Sequence, residues 1–166
     1  MKLYTMELVD FDSTDSNEGL RFHKPTFMKV IESDYFKDQL RRKMLIGGMS
    51  HRCRDEFLRY SEEHYCSVGN HADFLVDKGL ACNVLIKVWE ENNKFYGKLL
   101  TLPTEKGEEF DKLYELGLDF KVSMSVGVDQ DDKFYYLDRI LGVDFTFGPA
   151  FKTKCVAVEE YNGKTN

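Results

Sequence analysis

The sequence predicts an α+β fold, in which a mostly antiparallel β-barrel of about seven strands is flanked by two or three helices. One observation is the number of short strand-patterned segments that are separated by turn residues. A second is a clear hairpin, because residues 81–89 alternate in polarity, residues 91–94 suit a turn and residues 95–102 suit a return strand. The third is length, since 166 residues form a single domain that covers residues 1–166.

The other elements follow from periodicity. Helical spacing occurs in residues 26–43, with Ser33 as a candidate N-cap, and again in residues 104–116. Further strands are expected at 2–11, 44–46, 120–128, 134–147 and 154–158. Residues 52–64 are charged and suit a short surface helix. Residues 66–80 show no clear period, which predicts a mobile loop near the functional site.

Composition excludes several functional classes. The chain has 23 Lys and Arg against 29 Asp and Glu, a net charge of −6, and no basic patch, so nucleic acid is not an expected partner. No apolar run approaches the roughly 20 residues of a membrane span, and no secretory signal opens the chain. The cysteines are therefore expected to be free thiols: Cys53, Cys66, Cys82 and Cys155.

Two serines occupy the polar face of a predicted strand. Period-2 geometry places Val122 and Met124 on one face, and Ser123 and Ser125 on the other. A strand anchored in the core is a rigid platform for a nucleophile. The same pattern also suits an ordinary solvent-facing strand, and periodicity does not say which serine would react.

Two further residues could complete a catalytic group. His51 follows a glycine turn at the end of a short apolar strand, and its imidazole suits a general base near neutral pH. Asp144 interrupts the apolar segment 140–145, so we expect its carboxylate to be partly buried and to need a partner such as a histidine. A surface histidine and a solvent-facing strand-edge aspartate are the alternatives.

A zinc site is a competing interpretation. His51 and Cys53 form one His-x-Cys pair, and His64 and Cys66 form another. These side chains bind zinc, but structural zinc sites ordinarily have two to five residues between paired ligands rather than one, and on a helix residues i and i+2 point apart. The spacing therefore disfavours zinc, and no metal or cofactor is expected.

The order of the motifs resembles that of the tailed-phage prohead, or capsid maturation, serine proteases, which are related to the herpesvirus assemblins. The matching segments, in chain order, are 17–22 (NEGLRF), 46–51 (IGGMSH), the hairpin 82–102 with the helix start 104–107 (TEKG), 122–127 (VSMSVG) and 143–150 (VDFTFGPA). Together they cover most of the chain, from about residue 16 to residue 158.

The resemblance implies an assemblin-like barrel and a serine endopeptidase in which Ser123 attacks, His51 moves the proton and Asp144 orients His51. Ser125 is the alternative nucleophile, but spacing from Gly117 favours Ser123. The implied substrates are phage scaffold or core protein, major capsid protein and the enzyme itself, with Glu159 and Glu160 as candidate self-processing sites.

The resemblance also implies a location in the host cytoplasm, inside the viral prohead, and it leaves a homo-oligomer open. The alternative is a catalytically inactive assembly or scaffold protein that retains the protease fold.

Overall fold

The computed structural model describes residues 1–50, 67–147, 151 and 153–163. The strands are β1 (Lys2–Asp10), β2 (Arg21–Phe22), β3 (Ile46–Gly47), β4 (Asn83–Glu91), β5 (Lys94–Thr101), β6 (Lys121–Gln130), β7 (Phe134–Thr146) and β8 (Lys154–Glu160). The helices are α1 (Lys24–Ile31), α2 (Asp34–Arg41), α3 (Val68–Asp77) and α4 (Glu105–Glu115). None of the described helices is both long enough and apolar enough to cross a membrane.

The strands form two sheets. The larger sheet has five antiparallel strands in the order β3-β4-β5-β1-β8. The smaller has the order β2-β7-β6, in which β6 and β7 form an antiparallel hairpin and β2 adds a short parallel strand. The predicted α+β class is confirmed, and so is the hairpin that became β4 and β5.

The predicted closed barrel is wrong, because the described strands form two separate sheets. Closure would need main-chain ladders at both pairs of sheet edges, one of them between β6 and β8. Where these strands approach each other, the side chain of Thr153 bonds the main chain of β6 instead: Val122 N–H donates to Thr153 Oγ1, which in turn donates to the Val122 carbonyl. A side chain therefore satisfies the main-chain groups that a closing strand would have paired.

Aromatic packing fixes the β6–β7 hairpin on the larger sheet. The rings of Phe110 in α4 and Phe145 in β7 stack with their centroids 3.8 Å apart, and the ring of Tyr4 in β1 meets both edge-on. The Tyr4 hydroxyl donates to Asp111 at the base of this cluster. The residues before and after Phe145 are consequently held in place from the core side.

Capping residues define the helices. The predicted N-cap Ser33 is confirmed: it accepts a hydrogen bond from Phe36 N–H and begins α2, so the helical segment 26–43 consists of the two helices α1 and α2. Thr104 caps α4, and Gly117 follows that helix with a φ of 83°, the left-handed conformation that glycine adopts without strain.

The mobile loop predicted for 66–80 is wrong for the residues from 67 onward. Ser67 caps α3, and Val68, Ala72 and Leu75 are buried at helical spacing. His71 on the same helix is also fully buried. The apolar positions i, i+4 and i+7 were present in the sequence, but the intervening His, Asn and Asp residues obscured them.

Candidate functional site

The two strands of the β6–β7 hairpin bring three of the predicted site residues together. Ser123 lies directly opposite Asp144, and Ser125 lies opposite Gly142. Directly opposed residues in an antiparallel pair point to the same face, with their Cβ atoms about 4.5–5.5 Å apart. Ser123, Ser125 and Asp144 therefore share one face of the hairpin.

Asp144 is fully buried, as its place in an apolar segment suggested, and two donors hold its carboxylate. The Ser125 hydroxyl donates to Oδ2 at 2.9 Å, and the Gly48 main-chain N–H donates to Oδ1 at 2.8 Å. A buried carboxylate is costly unless it is hydrogen-bonded, and these bonds fix the orientation of the group. An ionised carboxylate has about four acceptor positions, so further hydrogen bonds can form.

A close approach of two backbones brings Gly48 to this carboxylate. A Cβ atom on Gly47 would lie 1.9 Å from the Val143 carbonyl oxygen, and one on Gly142 would lie 2.1 Å from the Ile46 carbonyl oxygen. The Phe145 N–H then donates to the Gly48 carbonyl at 3.0 Å. Only glycine at both positions lets β3 cross β7 at this distance. The two glycines therefore allow Gly48 to reach the Asp144 carboxylate, although they carry no functional group themselves.

The two serines differ in exposure. Ser125 has no exposed surface and is covered on the face where β3 crosses. Ser123 is only partly buried and borders a cavity of about 190 Å³. The Ser123 side chain is therefore less enclosed than that of Ser125, whose hydroxyl already donates a hydrogen bond to Asp144.

The walls of the cavity that Ser123 borders are part apolar and part polar. Phe22 and Phe151 are among the apolar residues, and Asp15 and Asn17 are among the polar ones. Burial favours a raised pKa for Asp15, but hydrogen bonds from the Tyr135 hydroxyl and from main-chain N–H groups outweigh it, and the pKa lies below its ordinary value. Sequence reasoning did not single out Asp15, because a polar loop of this composition carries no periodic signal.

Comparison with solved structures gives an informative likeness. No family model matches the sequence, and no curated protein matches it. Among solved structures, the chain is similar to the bacteriophage T4 capsid assembly protease gp21, with a TM-score of 0.55 and 15% sequence identity, over 87% of this chain and 81% of that one.

The chain has the fold of this phage capsid assembly protease. This part of the predicted resemblance is confirmed, and the relation to the herpesvirus assemblins stays a prediction. At 15% identity the likeness concerns the fold, so the chemistry must be argued from this chain's own residues.

Several predicted residues fall outside the part of the chain that the structure describes. These are His51, Cys53, His64 and Cys66. The candidate general base and the zinc alternative therefore stay predictions. Within the described ranges, no group of three or more His, Cys, Asp or Glu side chains is placed to hold a metal ion, and neither Cys82 nor Cys155 forms a disulfide bond.

Proposed function

We propose that this protein is a serine endopeptidase that matures phage proheads by cleaving scaffold or core protein, capsid protein and itself inside the particle. The capsid assembly protease fold supports the class of enzyme. The observation that carries the proposal is the pairing of a partly exposed serine, Ser123, with a fully buried and hydrogen-bonded carboxylate, Asp144, on adjacent strands.

Ser123 is the proposed nucleophile. A serine that attacks a peptide carbonyl needs a path for the substrate and a base to take its proton. Ser123 borders the cavity beside β6, while Ser125 is enclosed and its hydroxyl donates a hydrogen bond to Asp144. In this proposal Ser125 is a positioning residue that holds the carboxylate.

His51 is the proposed base, oriented by Asp144. It follows Gly48 by three residues, and three residues of chain span at most about 11 Å. Because the Gly48 N–H bonds Asp144, the imidazole can come within reach of both Asp144 and Ser123. Its tautomer would be fixed by the carboxylate, which also stabilises the imidazolium formed during the reaction.

The reaction then follows from these roles. Ser123 Oγ attacks the scissile carbonyl while His51 takes the hydroxyl proton, and the C–N bond breaks as His51 gives that proton to the leaving amine. Water, deprotonated by His51, next attacks the acyl-enzyme ester, and the proton returns to Ser123 Oγ as the carboxylate product leaves.

Self-processing after Glu159 or Glu160 would require a change in the structure of the C-terminal strand. Glu159 and Glu160 lie in β8, opposite Leu3 and Lys2 of β1, and Lys2 forms an ion pair with Glu160. A protease binds the bond it cuts in an accessible extended segment. Cleavage after either glutamate therefore requires the end of β8 to leave β1.

Labelling with a fluorophosphonate probe, read by intact mass, tests the proposal. The wild-type protein should gain one adduct, and both Ser123→Ala and His51→Ala should abolish labelling and cleavage of the cognate scaffold protein. Ser125→Ala should still be labelled. Full labelling of folded Ser123→Ala would reassign the nucleophile to Ser125, and retained processing by folded His51→Ala would remove the assignment of the base.

The inactive assembly protein gives a different outcome. It predicts that wild-type protein with cooperative thermal unfolding takes up no probe and cuts no scaffold protein. That result would reject the protease proposal.

A further inference from the structure

Strand β6, which carries the proposed nucleophile Ser123, is the last strand of the smaller sheet, so β7 pairs with one side of its main chain. The register of β6 on β7 runs without interruption from Lys121 to Ser125, and irregularities follow on both sides of the pair 126–127. Ser123 therefore lies in a short regular stretch of an edge strand. Its position depends on what holds the outer side of that stretch.

The Thr153 hydroxyl holds the outer side of β6 directly beside Ser123. The Val122 N–H donates to Thr153 Oγ1 at 3.2 Å, and Thr153 Oγ1 donates to the Val122 carbonyl at 3.3 Å. Thr153 is 5% exposed and Val122 is 1% exposed, so both hydrogen bonds lie away from water, where they are stronger than at the surface. The Val122 carbonyl belongs to the planar peptide unit that also contains the Ser123 nitrogen. Thr153 thus fixes a peptide plane that is bonded to the Ser123 Cα.

Strand β7 holds the opposite side of β6 at the next residue. Val122 lies opposite Phe145, whose N–H points away from β6 and donates to the chain just after β3. In an antiparallel pair, successive residues direct their N–H and C=O groups to opposite sides of the strand. The main-chain bonds between β6 and β7 at this point are therefore those of the next pair, Ser123 and Asp144. Consecutive residues of β6 are held from its two sides, one by Thr153 and one by β7.

We propose that Thr153 is a positioning residue for the reaction at Ser123, an inference that rests on the proposed protease function. Its two hydrogen bonds hold the peptide plane before Ser123, so the Ser123 side chain keeps one direction relative to Asp144 and to the cavity that it borders. A displacement of about 1 Å in a reacting group can cost about 10²-fold in rate. Thr153 therefore affects the chemical step without touching the substrate.

Thr101 provides a matched control with the same chemistry in another part of the fold. It is fully buried in β5, and the Lys2 N–H donates to its Oγ1 at 2.9 Å. The Thr101 hydroxyl lies 3.2 Å from the Lys2 carbonyl and 2.9 Å from Asp111 Oδ2, so either oxygen can accept its proton. β5 belongs to the larger sheet, where β4 separates it from β3. A Thr→Val change at either position keeps the branched shape and removes a hydroxyl that bonds main-chain groups.

Kinetics of the two valine variants test the inference, at a temperature where thermal unfolding shows both to be folded. Thr153→Val should slow fluorophosphonate labelling about tenfold and lower kcat for a cleavable peptide by a similar factor, with KM close to wild type. Thr153→Ala, which also lacks the hydroxyl, should behave alike, and Thr153→Ser should restore most of the rate. Thr101→Val should label at the wild-type rate. If folded Thr153→Val labels as fast as Thr101→Val, the inference is wrong and the protease proposal stands.

Hydrogen exchange followed by NMR tests the positioning itself, without catalysis. Thr153→Val should speed exchange of the Ser123 N–H about tenfold more than Thr101→Val does, because the loss of the outer hydrogen bonds lets this part of β6 open locally. Equal protection of Ser123 in the two variants would overturn the inference. Folded wild-type protein that takes up no probe would reject the protease proposal, and faster exchange at Ser123 would then still support the role of Thr153 in holding this residue.

Discussion

The two ends of the β6–β7 hairpin each hold a buried carboxylate. Asp144 lies near the end of β7, and Asp15, in the loop between β1 and β2, contacts the start of β7. Each accepts a hydrogen bond from a hydroxyl group, that of Ser125 or of Tyr135. Each also accepts from the main chain, Asp144 from one described N–H group and Asp15 from two. By burial and hydrogen bonding alone, the two carboxylates are near equivalents.

Their partners separate them. The two main-chain donors to Asp15 are the N–H groups of Glu18 and Leu20, three and five residues further along the chain. The carboxylate therefore stabilises the loop in which it lies. The described donors to Asp144 are Gly48, directly after β3, and Ser125 in β6, and Ser123 is its cross-strand neighbour. A carboxylate that is held by distant segments of the chain and lies beside a partly exposed hydroxyl is a candidate for catalysis. A carboxylate whose main-chain donors all lie in its own loop has a structural role.

Charge removal at each end is the strongest test of this contrast. Asp144→Asn should lower the rate of fluorophosphonate labelling by about 10⁴-fold, because the amide neither stabilises the imidazolium nor holds the reactive tautomer. Asp15→Asn should leave that rate within a few-fold of wild type. The measurement is the second-order labelling rate at neutral pH.

Thermal unfolding of both variants is the control, since each must remain folded for the rates to be compared. Equal losses of labelling in the two folded variants would show that the contrast between structural and catalytic carboxylates is false.

Glycine substitutions test how each end is built. Gly47→Ala should destabilise the protein by about 3 kcal/mol, because its Cβ would meet the main chain of Val143, which cannot move aside as a side chain can. Gly19→Ala, at the Asp15 end, should cost only about 1 kcal/mol, since Gly19 has a φ of 70° but nothing within 4 Å of the new atom.

Gly69 in α3 provides the matched control. A Cβ there makes only an ordinary contact, 3.9 Å from the Met44 side chain, and alanine suits a helix better than glycine. Gly69→Ala should therefore be more stable than wild type by about 0.5 kcal/mol. Urea unfolding measures all three variants, and a Gly47→Ala cost no larger than that of Gly19→Ala would mean that the close approach of β3 and β7 is not required.

Removal of the hydroxyl donor at each end should have a smaller effect on labelling. Ser125→Ala should slow it by about 10- to 100-fold, because a hydrogen bond to a charged group contributes about 1.5–3 kcal/mol and Asp144 would lose one of its two described donors. Tyr135→Phe removes the corresponding donor to Asp15 and should leave labelling almost unchanged.

Substrate kinetics distinguish a positioning role from general damage. With a cleavable peptide, Ser125→Ala should lower kcat while KM stays close to wild type, since the substrate itself does not contact Ser125 in the proposed arrangement. A rise in KM with unchanged kcat would instead assign Ser125 to substrate binding.

The sequence predicted the elements that have local signals. The β4–β5 hairpin and the helix that begins at residue 104 follow from alternation and helical spacing, and the strands over 120–128 and 134–147 were also predicted. The register that places Ser123 opposite Asp144 was found only in the structure. Two features depend on contacts between distant parts of the chain: the crossing of β3 over β7, and the replacement of a β6–β8 ladder by the Thr153 side chain. Gly47 and Gly142, inside apolar segments, were the available signals of a close backbone approach.

The smallest expected effect concerns the pH dependence of stability at the Asp15 end. Because the folded pKa of Asp15 is below its ordinary value, the ionised group stabilises the fold at pH values above about 4, the pKa of an unfolded aspartate. This contribution is lost as the pH falls through the lower, folded pKa.

Asp15→Asn should therefore unfold a few degrees below wild type at pH 7, and the difference should shrink as the pH falls below 4. Tyr135→Phe, which keeps the carboxylate but loses its hydroxyl donor, should give a smaller difference with the same dependence. Thermal unfolding between pH 2.5 and 7 measures both, and a difference that is constant across this range would show that ionised Asp15 does not stabilise the loop.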